Sequence, residues 1–399
     1  MQRQIQAGSA LLIIVISQFL GTSLWFAGNA VIPELSQKLG LPELTGSLTS
    51  AVQFGFISGT LVFAILSIPD RFSPSKVFLI SSFLAAGFNL FVAVFPLGIE
   101  SLLVFRYLVG FFLAGIYPVG MKIAADYFEK GLGKALGLLV GALVLGTALP
   151  FLVRGLDYQY SYETIFWITS SLAALGGVAV GLFVPDGPYR TKNPKFDWKI
   201  LPRLSQINPL KGAASGYFGH MWELYTFWAF APLLLAYLTK WNLGSPSNSL
   251  GVFFIIASGA FSCALGGFVA EIKSSRAVAL ISLLGSGICC LLVFLLPENL
   301  GLIGLPFLLI WGMLVTADSP QFSTMVAQST PSNYRGTALT MVNCLGFALT
   351  IFSIQFTEWI VPRLGVSVSL GLLSIGPMIG LFLFRFFQKK EALSQGLFK

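Results

Sequence analysis

Twelve long apolar runs follow one another along this 399-residue chain, and no other feature limits its fold so severely. A bilayer core about 30 Å thick needs about 20 apolar residues per helix. Runs at 8–32, 45–68, 76–96, 99–126, 133–153, 161–184, 212–238, 248–270, 276–296, 301–328, 336–361 and 365–386 meet that length. Inside hydrocarbon every backbone N–H and C=O must be paired within the protein, so such runs are read as helices. Only 10% of residues are charged and 55% are hydrophobic, whereas an average soluble domain is about 25% charged. So few charges could not cover the water-facing surface of a soluble protein of this mass. The fold class expected is an all-α membrane protein of twelve transmembrane helices.

The net charge of +8 does not point to nucleic acid, because the basic residues sit in short loops between apolar runs rather than along one face. With the first residues placed in the cytoplasm, the inside loops and tails hold eighteen lysines and arginines, among them Arg3, Lys130, Lys192, Lys195 and Lys399. The outside loops hold four, Lys38, Arg154, Lys240 and Arg363. That bias predicts an inner-membrane protein with both termini cytoplasmic. Met1 to Ala7 is short and basic, and the apolar run after it is too long for a signal-peptide core, so a retained first helix is expected. Cys263, Cys289, Cys290 and Cys344 all fall inside apolar runs without metal-site spacing, and are expected to pack as small hydrophobes.

The longest polar stretch, 185–211, divides the chain into an N-terminal six-helix bundle (1–184) and a C-terminal one (212–399) with a short cytoplasmic tail. The two halves echo each other. Asp70 to Lys76 after the second run matches Glu271 to Arg276 after the eighth; Gly133 to Gly137 matches Gly336 to Thr340; Pro118 matches Pro320. These echoes share an offset of 200 to 203 residues. Repeats of this kind mark secondary transporters built from pseudo-symmetric bundles, with the solute site between them near the midplane.

The same motifs resemble the major facilitator superfamily over essentially the whole chain. The family's loop after helix two, Gly-x-x-x-Asp-Arg-x-Gly-Arg-Arg, is matched by Asp70-Arg71 and Lys76, with Leu66 in the place of the glycine; in the second half Gly267 precedes Glu271 correctly. The Arg-x-x-x-Gly pattern of helix four appears as Arg106 to Gly110, and Val184 to Arg190 approximates the Val-Pro-x-x-Pro-x-Arg ending of helix six. The antiporter pattern of helix five is half met, by Gly137 and Gly141 with Ala142 replacing proline. Nitrate carriers of this fold use arginines in helices two and eight, and neither run holds one. The resemblance implies alternating access around a central ring of helices one, four, seven and ten. It also ties Arg106 to helix one and to proton transfer, and makes Asp70, Arg71, Glu271 and Arg276 gating residues.

Ionisable groups inside the membrane are costly and usually face the bundle interior. The candidates are Arg106, Lys122 and Asp126 in run four, His220 and Glu223 in run seven, and Asp318 in run ten. His220 and Glu223, three apart, share a helix face, and Glu223 lies about 17 Å into its helix. A carboxyl beside an imidazole can pass protons, so the pair is read as a proton-coupling site, with a plain helix–helix hydrogen bond as the alternative. Asp318 precedes Pro320, which frees a helix carbonyl and bends the helix. Lys122 is read either as the partner of Asp126 or as an anchor for an anionic solute. Trp25, Asn29, Tyr117, Tyr225, Gln321 and Asn343 are the expected solute-lining residues beside it.

The reading is a transporter, not an enzyme, that moves a small solute, leaning to an organic anion through Lys122 and Arg106 and coupled to protons. Export of amphipathic drugs or metabolites is the alternative, and a non-transporting membrane sensor the alternative of another class. No Walker sequence for ATP hydrolysis is present, no cofactor or metal is expected, and the chain is expected to act as a monomer in the lipid bilayer.

Overall fold

Lipid covers the outer faces of these helices, so their packing is directed by small residues and buried polar groups rather than by an apolar stripe. The computed structural model describes residues 5–41, 44–96, 98–128, 132–156, 161–190 and 196–394, and contains helices and no strand among them. Arg3, Lys130, Lys192, Lys195 and Lys399, which were counted for orientation, lie outside the described residues.

The membrane helices are α1 (Ala7–Thr22), α2 (Thr45–Ile65), α3 (Pro74–Val94), α4 (Ile99–Tyr127), α5 (Leu132–Leu156) and α6 (Tyr162–Phe183). They continue with α7 (Asn208–Thr239), α8 (Pro246–Ile272), α9 (Ser275–Val293), α10 (Gly304–Ala317 with Ser319–Gln328), α11 (335–364) and α12 (366–394). Nine described helices are by themselves long and apolar enough to cross a membrane. The other spans arise from three local features. α1 stops short at Thr22, α10 is interrupted at Asp318, and α11 runs into α12 as one 63-residue stretch. Gly365 separates that last pair with φ 77° and ψ 169°, a backbone region open essentially to glycine alone.

The expected run 8–32 is therefore not one continuous helix. Past Thr22 the backbone tightens into i→i−3 bonds (Ser23 N to Leu20 O, Trp25 N to Thr22 O), then resumes through Asn29–Val31 and a short helix Ile32–Leu39. Interruptions or internal prolines mark α1 here, α4 at Ala114 to Ile116 before Pro118, α5 at Pro150, α7 at Pro232, α10 at Asp318 before Pro320, and α11 at Pro362.

Within the first six helices α3 lies along α6, α2 along α4, and α1 along both α5 and α6. The α2–α4 approach is close because Gly55 and Gly110 face backbone across it, where any side chain would collide with Tyr107 O or Val52 O. Among the last six, α7 lies along α11 and α12, and α8 along α10. Two long seams join the sets, α5 to α8 and α2 to α11. The segment 196–207 and both described ends of the chain mark one face, here named the linker face; the α1–α2, α7–α8 and α11–α12 connections mark the far face.

Candidate functional site

Along the middle of the seam aromatic rings from both sets meet. Trp25 lies 5.8 Å from Tyr225 and 5.9 Å from Phe347, Phe56 lies 4.7 Å from Phe347, and Phe26 meets Trp228 edge-on at 6.3 Å. The seam is also joined toward the far face. Glu358 of α11 accepts from Gly46 N of α2 at 2.6 Å, and Gln355 donates to Ser50 Oγ at 3.0 Å. Toward the linker face, among the described residues, Lys134 lies over the Phe268 ring at 6.0 Å and Asp197 N donates to Thr337 Oγ1 at 3.3 Å.

Behind the rings lie two buried polar nodes. In the first six helices Arg106 is fully buried; its Nη1 donates to Asn89 Oδ1 at 3.0 Å, and its Nη2 to the carbonyls of Leu24 (3.0 Å) and Trp25 (2.5 Å). Those carbonyls belong to the interrupted stretch of α1, so the guanidinium occupies the place of missing helix bonds. Asn89 extends the node by donating to Thr169 Oγ1 at 3.0 Å and Ser170 Oγ at 2.9 Å of α6. Sequence reading missed Asn89, although it is the one asparagine in the run 76–96.

In the last six helices His220 and Glu223 are both fully buried but do not pair with each other. His220 Nδ1 lies 2.8 Å from Asp318 Oδ1, where α10 is interrupted. Glu223 turns instead toward α9 and α10: Trp311 Nε1 donates to its Oε1 at 2.6 Å, Ser286 Oγ to its Oε2 at 2.8 Å, and Cys290 Sγ to its Oε1 at 3.3 Å. The expected His220–Glu223 couple is thus replaced by His220–Asp318, because a shared helix face of about 100° still lets two side chains reach different neighbours. Trp311, Ser286 and Cys290 were hidden in apolar runs, and Cys290 acts as a donor rather than merely as a small hydrophobe. Neither nitrogen of His220 and neither carboxylate oxygen of Asp318 has an aligned hydrogen-bond partner among the described residues, so the two groups meet by proximity alone.

The remaining expected site residues fall in three places. Trp25 and Tyr225 belong to the aromatic seam, and Tyr117 opens the second part of α4 just before Pro118. Gln321 is buried on α10 and Asn343 half-buried on α11. Asn29 lies apart from these, donating to Thr49 Oγ1 at 2.7 Å in a pocket nearer the far face. Lys122 is held at the linker face by Asp70 at 3.0 Å and Asp126 at 3.7 Å. Its ammonium thus meets two carboxylates, Asp126 of the pairing reading and Asp70 besides. Arg190 reaches the carbonyl of Phe72 at 2.7 Å and pairs with Asp186, knitting the same corner. Asp70 thus meets a cation of its own six-helix set, while Arg71, Glu271 and Arg276 are exposed, Arg276 lying over the Phe384 ring at 5.6 Å.

The family model described as Major Facilitator Superfamily matches residues 13–354. The chain belongs to the Major Facilitator Superfamily. It is a multi-pass membrane transporter, not an enzyme. Its fold is similar to that of a bacterial homologue of the human lysosomal transporter Spinster, in the inward-facing and occupied conformation: TM-score 0.69, 14% identity, 96% of this chain and 97% of that one covered. The inward-facing and unoccupied conformation of such a homologue gives TM-score 0.68 and 15% identity, with the same coverage. At these identities the likeness is one of fold. A sequence comparison with curated proteins finds no match.

Proposed function

We propose that this superfamily member is a proton-coupled secondary transporter of small amphipathic solutes, working by alternating access. The bundles 1–184 and 212–399 are its moving halves, joined by the cytoplasmic linker 185–211. It sits in the cell inner membrane with both termini in the cytoplasm, which follows from the basic loops of the linker face. The contacts across the far face then describe a state closed to the outside.

The observation that carries the reading is the His220–Asp318 pair, both groups fully buried, 2.8 Å apart and bridging α7 to the interruption of α10. A proton added to Asp318 removes the charge that holds His220 there, and frees the α10 interruption to change its angle against α7. Glu223, one turn along, is a second carboxyl that can take a proton, with three neutral donors around it. Buried ionisable groups on membrane helices are retained at such cost for this kind of work.

The solute class follows from what faces the seam. The rings of Trp25, Phe56, Tyr225 and Phe347 offer apolar area and π faces. Arg106 and Lys122, the two cations that favoured an organic anion, are engaged with protein acceptors. Amphipathic neutral or cationic molecules therefore suit the lining better than acids.

The test is uptake into proteoliposomes under an imposed pH gradient, with a panel of amphipathic amines, neutral metabolites and organic acids. Asp318→Asn and His220→Gln are expected to abolish gradient-driven accumulation while leaving solute exchange at equal pH. Accumulation of organic acids alone, or accumulation that ignores the pH gradient, would overturn the reading.

A further inference from the structure

The last apolar run ends at Phe386, but its helix does not: α12 continues to Ser394, about 12 Å further along its axis. Hydrocarbon therefore gives way to headgroups partway along α12, and residues near that boundary meet both. Met378, Phe382, Arg385 and Lys389 follow at spacings of four, three and four, so they share one face of the helix. The opposite face is spent inside the protein, where a side chain at Gly219 of α7 would collide with Gly376 and Gly380.

The outward face of α12 forms one wall of a groove of about 490 Å³, and Leu284 of α9 stands on the other. Met378, Leu381, Phe382 and Phe386 make the rest of its lining apolar. Among the described residues the polar side chains of the groove are Arg385 and Lys389, both at its linker-face end, and no acid lines it. Both cations are exposed, and neither has an ion pair or hydrogen bond among the described residues. Glu391, two residues past Lys389, is turned toward α7, where Asn208 Nδ2 donates to it at 3.3 Å. Other cations at this end have ring partners: Arg276 lies over Phe384 at 5.6 Å, and Lys211 over Phe387 at 4.9 Å. Arg385 and Lys389 instead stand over an apolar trough that opens to the lipid.

We propose that this groove binds an anionic phospholipid from the leaflet on the linker face. The phosphate is held by the Arg385 fork, with Lys389 about 6 Å further along the helix, and an acyl chain lies against Leu284, Met378 and Phe382. The two parts of the groove together choose the occupant. A free phosphate meets the charge but leaves the trough unfilled, and a zwitterionic lipid fills the trough but brings a cation of its own beside two others. Basic pockets between helices at the cytoplasmic surface take anionic headgroups on these terms. The proposal needs only the membrane fold; it depends neither on the solute nor on proton coupling.

Native mass spectrometry of the full chain released from detergent tests it. The probes are dioleoylphosphatidylglycerol, dioleoylphosphatidylcholine as a zwitterionic lipid with the same chains, and glycerol 1-phosphate as a headgroup without chains. Phosphatidylglycerol is expected to bind about tenfold or more tightly than phosphatidylcholine, and glycerol 1-phosphate neither to bind nor to displace it. Arg385→Gln combined with Lys389→Gln is expected to erase the preference, and Leu284→Trp to weaken phosphatidylglycerol by narrowing the trough. Lys199→Gln with Lys273→Gln removes two exposed cations elsewhere on the linker face and is expected to leave the preference intact. Equal binding of the two lipids, displacement by glycerol 1-phosphate, or a preference untouched by both groove variants overturns the proposal. So does a preference that falls as far in the Lys199 and Lys273 variant, which would make it a property of the whole basic face. Should the Arg385 and Lys389 variant fail to fold, Leu284→Trp and the three probes decide. Failure here leaves the proteoliposome result standing, since that readout does not require this groove.

Discussion

The two buried polar nodes sit in equivalent halves and solve opposite problems. Around Arg106 a permanent cation meets two carbonyls and an amide oxygen, and the carbonyls exist to be met because α1 is interrupted there. Around Glu223, His220 and Asp318 the groups are ones that can gain or lose a proton, and His220 and Asp318 have no aligned hydrogen-bond partner among the described residues. A guanidinium is charged at any working pH, so the first node can only hold. The second can change state. The first node is thus suited to holding its own bundle together, and the second carries the groups whose charge can change, as the proposed coupling requires.

The sharpest way to break this contrast is Arg106→Leu. It orphans three acceptors in a dry interior and is expected to cost about 3–5 kcal/mol or to prevent folding altogether. Thermal unfolding in detergent measures it, and a near-normal midpoint would remove the clamp from the account. Arg106→Lys is expected to recover little, because one ammonium cannot reproduce the fork that spans Leu24, Trp25 and Asn89.

Asp318→Asn is next. It keeps the shape and a hydrogen-bonding group opposite His220, so the midpoint is expected to stay within about 1 kcal/mol of wild type. Gradient-driven accumulation is expected to fall by about tenfold or more, as for loss of a proton-transfer group. If both nodes destabilised equally on substitution, the distinction between holding and responding would be lost.

A finer comparison sets Asn89→Ala beside Ser286→Ala. The first leaves Arg106 Nη1 without its acceptor and is expected to cost about 2–3 kcal/mol; the second removes one of three donors from Glu223 and is expected to cost about 1 kcal/mol. Smallest of all is Asp70→Asn. Its pair with Lys122 at 3.0 Å lies at the partly wet linker face, and such pairs contribute about 0.5–1 kcal/mol. A large stability loss there would show that the linker-face corner, and not the Arg106 node, holds the first half together.

Much of the architecture was legible because hydrocarbon permits so few alternatives. Span ends such as 45, 99 and 161–184 fall within a residue or two of Thr45, Ile99 and Tyr162–Phe183. The break after Thr22 was not legible, since no proline marks it and its reason, Arg106, lies on another helix. Within the site, the identities of the ionisable groups could be read but their pairing could not. His220 and Glu223 share a face in sequence, yet only the placement of α9 and α10 shows that Asp318 takes one and Trp311 the other. Likewise the pairing of Lys122 with Asp126 could be read from their spacing, but the second carboxylate, Asp70, is brought against it only by the α2–α3 loop. Asn29 reads as another solute-lining residue of the central ring until the interruption of α1 carries it toward the far face.

The stacked rings along the seam have a mechanical consequence. Contacts between Trp25, Tyr225, Phe56 and Phe347 are stacked or tilted ring contacts, each contributing only about 0.5–1.5 kcal/mol beyond its buried area, so rings can exchange partners without any hydrogen bond having to break. The seam thus behaves as a greased joint, with its catches set off to one side at Gly46–Glu358 and Ser50–Gln355. For the halves to part at the far face those two polar contacts must break, whereas the rings have only van der Waals contact to give up.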